Sequence, residues 1–248
     1  MSAILTAKEL TVRYGDVVAL EAVDMAIPRG TSVAVLGPNG SGKSTLFSAA
    51  VGLADAAAGE VAVATDRIAY LPQQVTVEPM FPATVRDVVA MGRWGALGWR
   101  RRFSDEDHAL VAEAMRALSV DHLAQRRLGE LSGGQRQRAL LAQVAAQDAE
   151  LLLLDEPFTG VDRPTEDTVR ELITRWRDED RTVMVATHDL ARAARDYDLV
   201  LALNRRLIAF GPAAATCTED VLAATFAGHI ARVGGLLIET EHRHPGAG

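Results

Sequence analysis

The sequence predicts an α/β fold with an open sheet, and three stretches predict it. Residues 37–45 read GPNGSGKST, matching G-x-x-x-x-G-K-[ST], between a short valine-rich run (residues 32–36, SVAVL) and a helical-looking run (residues 46–53). Residues 151–154 are four leucines ending at Asp155-Glu156-Pro157, the pattern of a buried parallel strand with two carboxylates at its C-terminal end. Residues 182–186 (TVMVA) form another buried strand, and His188 stands just past it. Open α/β sheets bind ligands at the C-terminal ends of their strands, and the chemistry-bearing residues gather at such ends.

The glycine-rich stretch reads as a phosphate-binding loop. Gly37, Gly40 and Gly42 let the backbone curl so that several N–H groups point inward, with Pro38, Asn39 and Ser41 between them, and the following helix adds its positive dipole end. Lys43 brings a point charge to the β- and γ-phosphates. The Ser44 hydroxyl, followed by Thr45, supplies an oxygen ligand for Mg²⁺, which keeps several waters.

Ahead of the loop, residues 3–27 alternate short apolar runs with turn signals at Tyr14-Gly15-Asp16 and, just beyond, Pro28-Arg29-Gly30, the pattern of a small antiparallel sheet. Tyr14 lies in the first of these turns, where its ring either stacks on a base or packs at a strand edge. After the loop helix, residues 59–64 (GEVAVA) and 67–71 (RIAYL) read as two strands joined by Thr65-Asp66, and Pro72-Gln73-Gln74 ends the second.

Residues 75–150 change character. A helical run ending at Met91 leads into GRWGALGWRRRF, whose basic and aromatic residues from Arg93 to Arg102 suit either a membrane partner or lipid phosphates, or a solvated loop with two packed tryptophans. Ser104-Asp105-Glu106-Asp107 is a capping box that opens a helix, with Leu110, Val111, Ala114, Met115 and Leu118 as its core stripe. Leu131-Ser132-Gly133-Gly134-Gln135 opens the next one. Ser132 and Gln135 form a second capping box, and Gly133 and Gly134 leave the helix N-terminus as bare backbone, a further anion site.

Uncompensated charge at the end of a buried strand is costly, so Asp155 and Glu156 together call for a metal or a catalytic proton. Pro164, Glu166 and Asp167 begin a helix whose Val169, Leu172, Ile173 and Trp176 recur at i, i+3, i+4 and i+7. Residues 199–203 and 207–210 read as a hairpin around Asn204-Arg205-Arg206, and residues 211–248 as a helical piece and a polar tail. His242 and His244, near Glu239 and Glu241, lack the rigid geometry of a metal site.

The chain has 248 residues, 48% hydrophobic and 24% charged, which suits one large or two small compact domains. It contains no run of 18 apolar residues, and MSAILTAKEL lacks the basic region and apolar core of a signal peptide, so a cytosolic protein is expected. Cys217, the only cysteine, excludes a disulfide framework or a cysteine zinc site within the chain. A net charge of −7 disfavours nucleic acid as the main partner.

Taken in order, these motifs resemble the nucleotide-binding subunit of ABC transporters over about residues 3–230. GPNGSGKST is similar to Walker A, Gln73 to the Q-loop glutamine, LSGGQ to the signature motif, LLLLDE to Walker B, Thr159-Gly160-Val161-Asp162 to the D-loop and His188 to the switch histidine. The resemblance implies an ABC ATPase fold: a P-loop NTPase core, an N-terminal antiparallel β subdomain and an inserted α-helical signature subdomain at about residues 75–150. Residues 1–230 would then be one domain and residues 231–248 a tail. It implies ATP and Mg²⁺, with adenine stacking for Tyr14, phosphate binding for Lys43, the metal or its waters for Ser44, Gln73 and Asp155, and the catalytic base for Glu156. His188 would stabilise the charge of the transition state, while Ser132, Gly133, Gly134, Gln135 and Asp162 would serve the interface with a second copy, since two such domains close head to tail on two ATP molecules.

The family's partners would be a membrane permease that seats a helix near the Q-loop and holds the subunit at the inner face of the cell membrane. Residues 81–104 are most similar to importers of zinc or manganese that work with an extracytoplasmic metal-binding protein. Two departures stand out: the Thr65-Asp66 connection is shorter than the family's usual polar hairpin, and Gln143 replaces an arginine, removing a surface charge. A soluble ABC ATPase acting on nucleic acid or ribosomes would carry two nucleotide-binding domains or a coiled-coil insertion. A nucleotide-gated module without turnover would not need both Asp155 and Glu156.

Overall fold

The computed structural model describes residues 2–73, 82–97, 102–226, 230–233 and 236–239. Its strands are β1 (Ala3–Tyr14), β2 (Val17–Pro28), β3 (Ser32–Leu36), β4 (Ala58–Val63), β5 (Ile68–Leu71), β6 (Leu151–Asp155), β7 (Thr182–Ala186), β8 (Leu199–Asn204), β9 (Arg206–Pro212), β10 (Ile230–Val233) and β11 (Leu236–Glu239). Its helices are α1 (Lys43–Ala50), α2 (Val85–Met91), α3 (Trp94–Leu97), α4 (Asp105–Ala117), α5 (Gly133–Ala146), α6 (Arg163–Asp178), α7 (Leu190–Asp196), α8 (Ala213–Thr216) and α9 (Glu219–Thr225). They divide between a loop unit, Leu5–Ala26, Ser32–Ala62 and Ala186–Gly248, and a helical unit, Met1–Ile4, Ile27–Thr31 and Val63–Val185.

In the loop unit, β1 and β2 are long neighbours joined by Gly15-Asp16, and β4 adds to the other edge of β1 in the order β2-β1-β4. This is the expected antiparallel subdomain, with longer strands than the apolar runs suggested. Every residue of β3 is buried, which is why SVAVL has no polar alternation. β3 pairs in parallel with β8, from Val33 opposite Leu199 to Leu36 opposite Ala202, and β8 turns through Arg205 into antiparallel β9. Ala34, Leu36 and Val200 pack against Leu190, Ala193, Ala213, Leu222 and Phe226 from α7, α8 and the end of α9, forming one buried cluster. Cys217 packs against this cluster, and burial raises its thiol pKa, in keeping with an inert residue. β10 and β11 pair antiparallel, a hairpin that the tail's composition did not announce.

In the helical unit, β5 pairs in parallel with β6, with Ile68 opposite Leu151 and Leu71 opposite Leu154, and β7 follows β6 in the sheet order. The two strands flanking Thr65-Asp66 therefore join different sheets and do not pair with each other as the sequence reading implied. β4 completes the antiparallel layer beside β1, and β5 pairs in parallel with β6. Helices α2, α4 and α5 pack together. Thr84 with Asp87, Ser104 with Asp107, and Ser132 with Gln135 each form a complete capping box at the start of one of them. Helix α6 is capped by Asp162, carries Arg175 and Arg177 in its last turn, and buries the predicted stripe of Val169, Leu172, Ile173 and Trp176.

Arg93 corrects the reading of the basic-aromatic loop. Its side chain is buried, with Nε 3.0 Å from Asp107 Oδ1 and Nη1 donating to the Ala146 carbonyl at 3.0 Å, so it ties the end of α2 to the start of α4 and the end of α5. Trp94 beside it is exposed rather than packed. Trp99, Arg100 and Arg101 lie outside the described residues, as do His242 and His244. Gln143, expected at the surface, is half-buried, and its carbonyl lies where a side chain on Gly92 would have to go.

A ribbon of alternating charge also joins element ends in this unit. It runs Arg29–Glu150–Arg67–Asp148–Arg181–Glu179–Arg175–Glu113, each step an ion pair of 2.8–3.5 Å. Most of these side chains are partly exposed, so each pair adds only a fraction of a kcal/mol, about 0.2–1.

Candidate functional site

The loop unit carries the glycine-rich turn between β3 and α1. Strand β3 ends at Leu36, the chain turns through residues 37–42, and α1 begins at Lys43, earlier than the apolar run suggested. Gly42 caps that helix with φ 100°, and no side chain caps its first amides. A Cβ at Gly42 would lie 2.5 Å from Leu20 Cδ2 and 2.7 Å from the Ala19 carbonyl, and one at Gly37 would lie 2.1 Å from the Leu203 carbonyl. Only glycine fits either place. The loop is held from outside: the Arg205 N–H donates to the Ser41 carbonyl at 2.8 Å, and the Glu21 N–H donates to the Arg205 carbonyl at 2.8 Å. Arg206 is paired with Glu21, which fixes the same corner.

Lys43 is buried to 7% exposure, and its ammonium donates to the Gly37 carbonyl at 2.7 Å and the Pro38 carbonyl at 3.1 Å. It thus points back along the loop. Asn39, Gly40 and Ser44 are exposed, Thr45 is half-buried, and the Ser41 hydroxyl is buried against Gly37. The Thr187 N–H donates to the Val35 carbonyl at 3.1 Å, which brings exposed His188 to the strand end from which the loop springs. Asp189 then caps α7 through the Arg192 N–H at 3.1 Å. Tyr14 stands at the end of β1 with 55% of its surface exposed, available for stacking rather than packed.

The helical unit gathers the acidic groups. Asp155 is the last residue of β6 and is 1% exposed; Glu156 follows, half-buried, with φ 50°. Because Leu71 lies opposite Leu154, exposed Gln73 leaves β5 at the same end of the sheet as these carboxylates. The Thr159 hydroxyl donates to Glu156 Oε2 at 3.2 Å, a contact that the sequence reading missed. Its only signal was a hydroxyl three residues after the acid in a glycine-containing turn.

At the start of α5, Ser132 Oγ accepts from the Gln135 N–H at 3.3 Å and Gln135 Oε1 accepts from the Ser132 N–H at 3.1 Å. The surroundings of Gly133 are open, and Gly134 faces the Gly160 carbonyl, so the signature turn and residues 159–162 are neighbours. Asp162 accepts from the Thr165 N–H at 3.0 Å, and bonds from the Thr165 hydroxyl and N–H hold its carboxyl below the usual range. The structure therefore collects the predicted residues in two groups: Tyr14, residues 37–45 and His188 in one unit, and Gln73, residues 132–135, Asp155, Glu156 and Asp162 in the other.

The chain is similar to known proteins over most of its length. The sequence profile of the family described as ABC transporter matches residues 20–159. The chain is 37% identical over 238 residues to the manganese transport system ATP-binding protein MntB of Halalkalibacterium halodurans, covering 93% of this chain and 95% of that one. It is 41% identical over 229 residues to the zinc transport system ATP-binding protein TroB of Treponema pallidum, covering 90% and 86%. A dimeric bacterial ABC transporter cassette superimposes with a TM-score of 0.75 at 25% identity, over 84% of this chain and 98% of the cassette.

Proposed function

The chain belongs to the ABC transporter family, and from that membership we propose that it is the ATP-hydrolysing subunit powering import of a divalent metal ion, zinc or manganese, through a partner membrane permease. The observation that carries the reading is the likeness to two metal-transport ATP-binding proteins at 37% and 41% identity across about nine-tenths of the chain. In this reading residues 1–230 form one nucleotide-binding domain, its helical insertion lies at about residues 75–150, and residues 231–248 are an appendage.

The chemistry follows from the residues. Tyr14 stacks on the adenine, while the N–H groups of residues 37–45 and the Lys43 ammonium take the phosphates, the lysine exchanging the Gly37 and Pro38 carbonyls for phosphate oxygens. Glu156 orients the attacking water and accepts its proton. His188 and Lys43 offset the negative charge that grows on the transferred phosphoryl group. Ser132, Gly133, Gly134 and Gln135 complete the site of a second copy, with Asp162 at the same interface.

Ser44, Gln73 and Asp155 offer a hydroxyl, an amide and a carboxylate, all hard oxygen donors. Among the described residues no group of three or more His, Cys, Asp or Glu converges. That donor set fits Mg²⁺, which takes one or two protein oxygens and completes its shell with water and phosphate. When bound, the ion neutralises phosphate charge.

No helix among the described residues is long and apolar enough to cross a membrane. The permease supplies the pore in this reading and holds the subunit at the inner membrane face, with an extracytoplasmic metal-binding protein delivering the cargo. A groove of about 470 Å³ between α2 and α4, lined by Arg86, Ala90, Phe103, His108, Val111 and Met115, is the surface we assign to a permease helix.

The test is cellular metal content by mass spectrometry in a strain carrying Lys43→Ala, grown in metal-depleted medium and resupplied with one ion at a time. A selective fall in zinc or manganese is expected. Unchanged levels of both, with depletion shown to limit growth, would reject metal import while leaving the ATPase assignment standing.

A further inference from the structure

We propose that Thr159 is a positioning residue for Glu156, an inference that rests on the assignment of Glu156 as the base. Glu156 leaves β6 with φ 50°, a left-handed backbone that a non-glycine residue adopts at a cost and keeps only where its surroundings hold it. Thr159 does so twice. Its N–H donates to the Glu156 carbonyl at 3.1 Å, and its hydroxyl donates to Glu156 Oε2 at 3.2 Å, so one residue ties both the main chain and the side chain of the acid.

The turn between them is anchored in its own right. Arg170 of α6 lies over the Phe158 ring, 4.7 Å from its centroid, and Arg170 is itself held by Glu166 at 3.0 Å and Asp167 at 3.6 Å. Phe158 therefore pins the middle of the turn while Thr159 pins its end to the acid.

A glutamate side chain has several torsions to order, and a base that is ordered in advance does not meet that cost during the reaction. With Oε2 accepting a hydrogen bond from the Thr159 hydroxyl, Oε1 is the oxygen left to accept a proton from water. The chemistry needed at residue 159 is an O–H, which serine supplies and isosteric valine does not.

The experiment is steady-state ATP hydrolysis by the full chain for Thr159→Val, Thr159→Ala, Thr159→Ser, Glu156→Gln and the Thr159→Val/Glu156→Gln pair. Thermal melting and ATP binding are followed for each. Thr159→Val and Thr159→Ala should lower kcat about tenfold with KM unchanged, the loss of one charge-assisted hydrogen bond. Thr159→Ser should recover most of it. In the Glu156→Gln background the valine change should cost nothing more, since it acts through the carboxylate.

Parental kcat in both the valine and alanine variants would overturn the inference, as would serine falling as far as valine. If Glu156→Gln is inactive while Thr159→Val turns over normally, the base assignment stands and only the positioning role fails. Hydrolysis at the parental rate by Glu156→Gln would remove both.

Discussion

Glu156 and Gly42 show how much single residues contribute. Glu156 holds a left-handed backbone at the end of a buried strand, and a strained position of this kind persists only where the surrounding structure holds it. Gly42 is left-handed for another reason: its φ of 100° and the carbonyl of Ala19 leave no room for a methyl group. Gly42→Ala should therefore displace the start of α1 and the amides that face phosphate. The expected outcome is loss of ATP binding, by about a hundredfold or more, in a titration with a fluorescent nucleotide. The glycine requirement was legible in the sequence because the loop pattern is contiguous. The contact between Thr159 and Glu156 was not, because it depends on a backbone turn that composition does not specify.

Among the elements, the capping boxes at Ser104 and Ser132 were legible from spacing alone, since a side chain reaching an amide three residues on needs no tertiary partner, while the one at Thr84 came only with the structure. Asp107 does more than cap. It accepts from the Ser104 N–H and hydroxyl and from Arg93, and these bonds, the Ser104 N–H first, lower its carboxyl from the ordinary 3.8 to about 2. Because the folded-state value is depressed, its contribution to stability is complete above about pH 4 and is lost as pH falls toward about 2. Asp107→Asn should be less stable at neutral pH, with Arg93 left buried without its charge partner, and its stability should vary less across that acid window. Urea unfolding at a series of pH values tests both expectations; an acid limb identical to the parent's would remove Asp107 from the account. The link from α2 to α4 through Arg93 was hidden in the sequence because the same arginine stands in a run that reads as a basic surface.

Across the whole molecule, the chain carries one phosphate loop and one signature turn, and the proposed head-to-tail pairing makes each site a product of two copies. A mixture of inactive variants tests this. Lys43→Ala disables the loop, while Gly133→Asp, placed where the structure leaves open space for a side chain, sets a negative charge against the partner's phosphates. Mixed in equal amounts with ATP, the two should recover about a quarter of the parental hydrolysis rate, since random pairing makes half the dimers mixed and each mixed dimer has one intact site. No recovery, with both variants folded and exchanging, would argue against composite sites. The relatives' names differ in the metal they carry, manganese in one and zinc in another, so the metal-content measurement rather than the ATPase is the one that identifies the cargo.

Whatever lies within a few residues along the chain was legible before folding: the loop between strand and helix, two of the helix caps, the buried leucine and valine strands and the order of the motifs. Local sterics, amide geometry and hydrophobic runs suffice to specify these. Long-range packing sets the rest: β4 and β5 enter different sheets, Arg93 is buried against Asp107 and Ala146, Arg205 supports the glycine-rich loop, and Phe158 is pinned under Arg170. Those contacts depend on which strand edges and helix faces meet once apolar surface is buried, and residues far apart in the chain become neighbours only then.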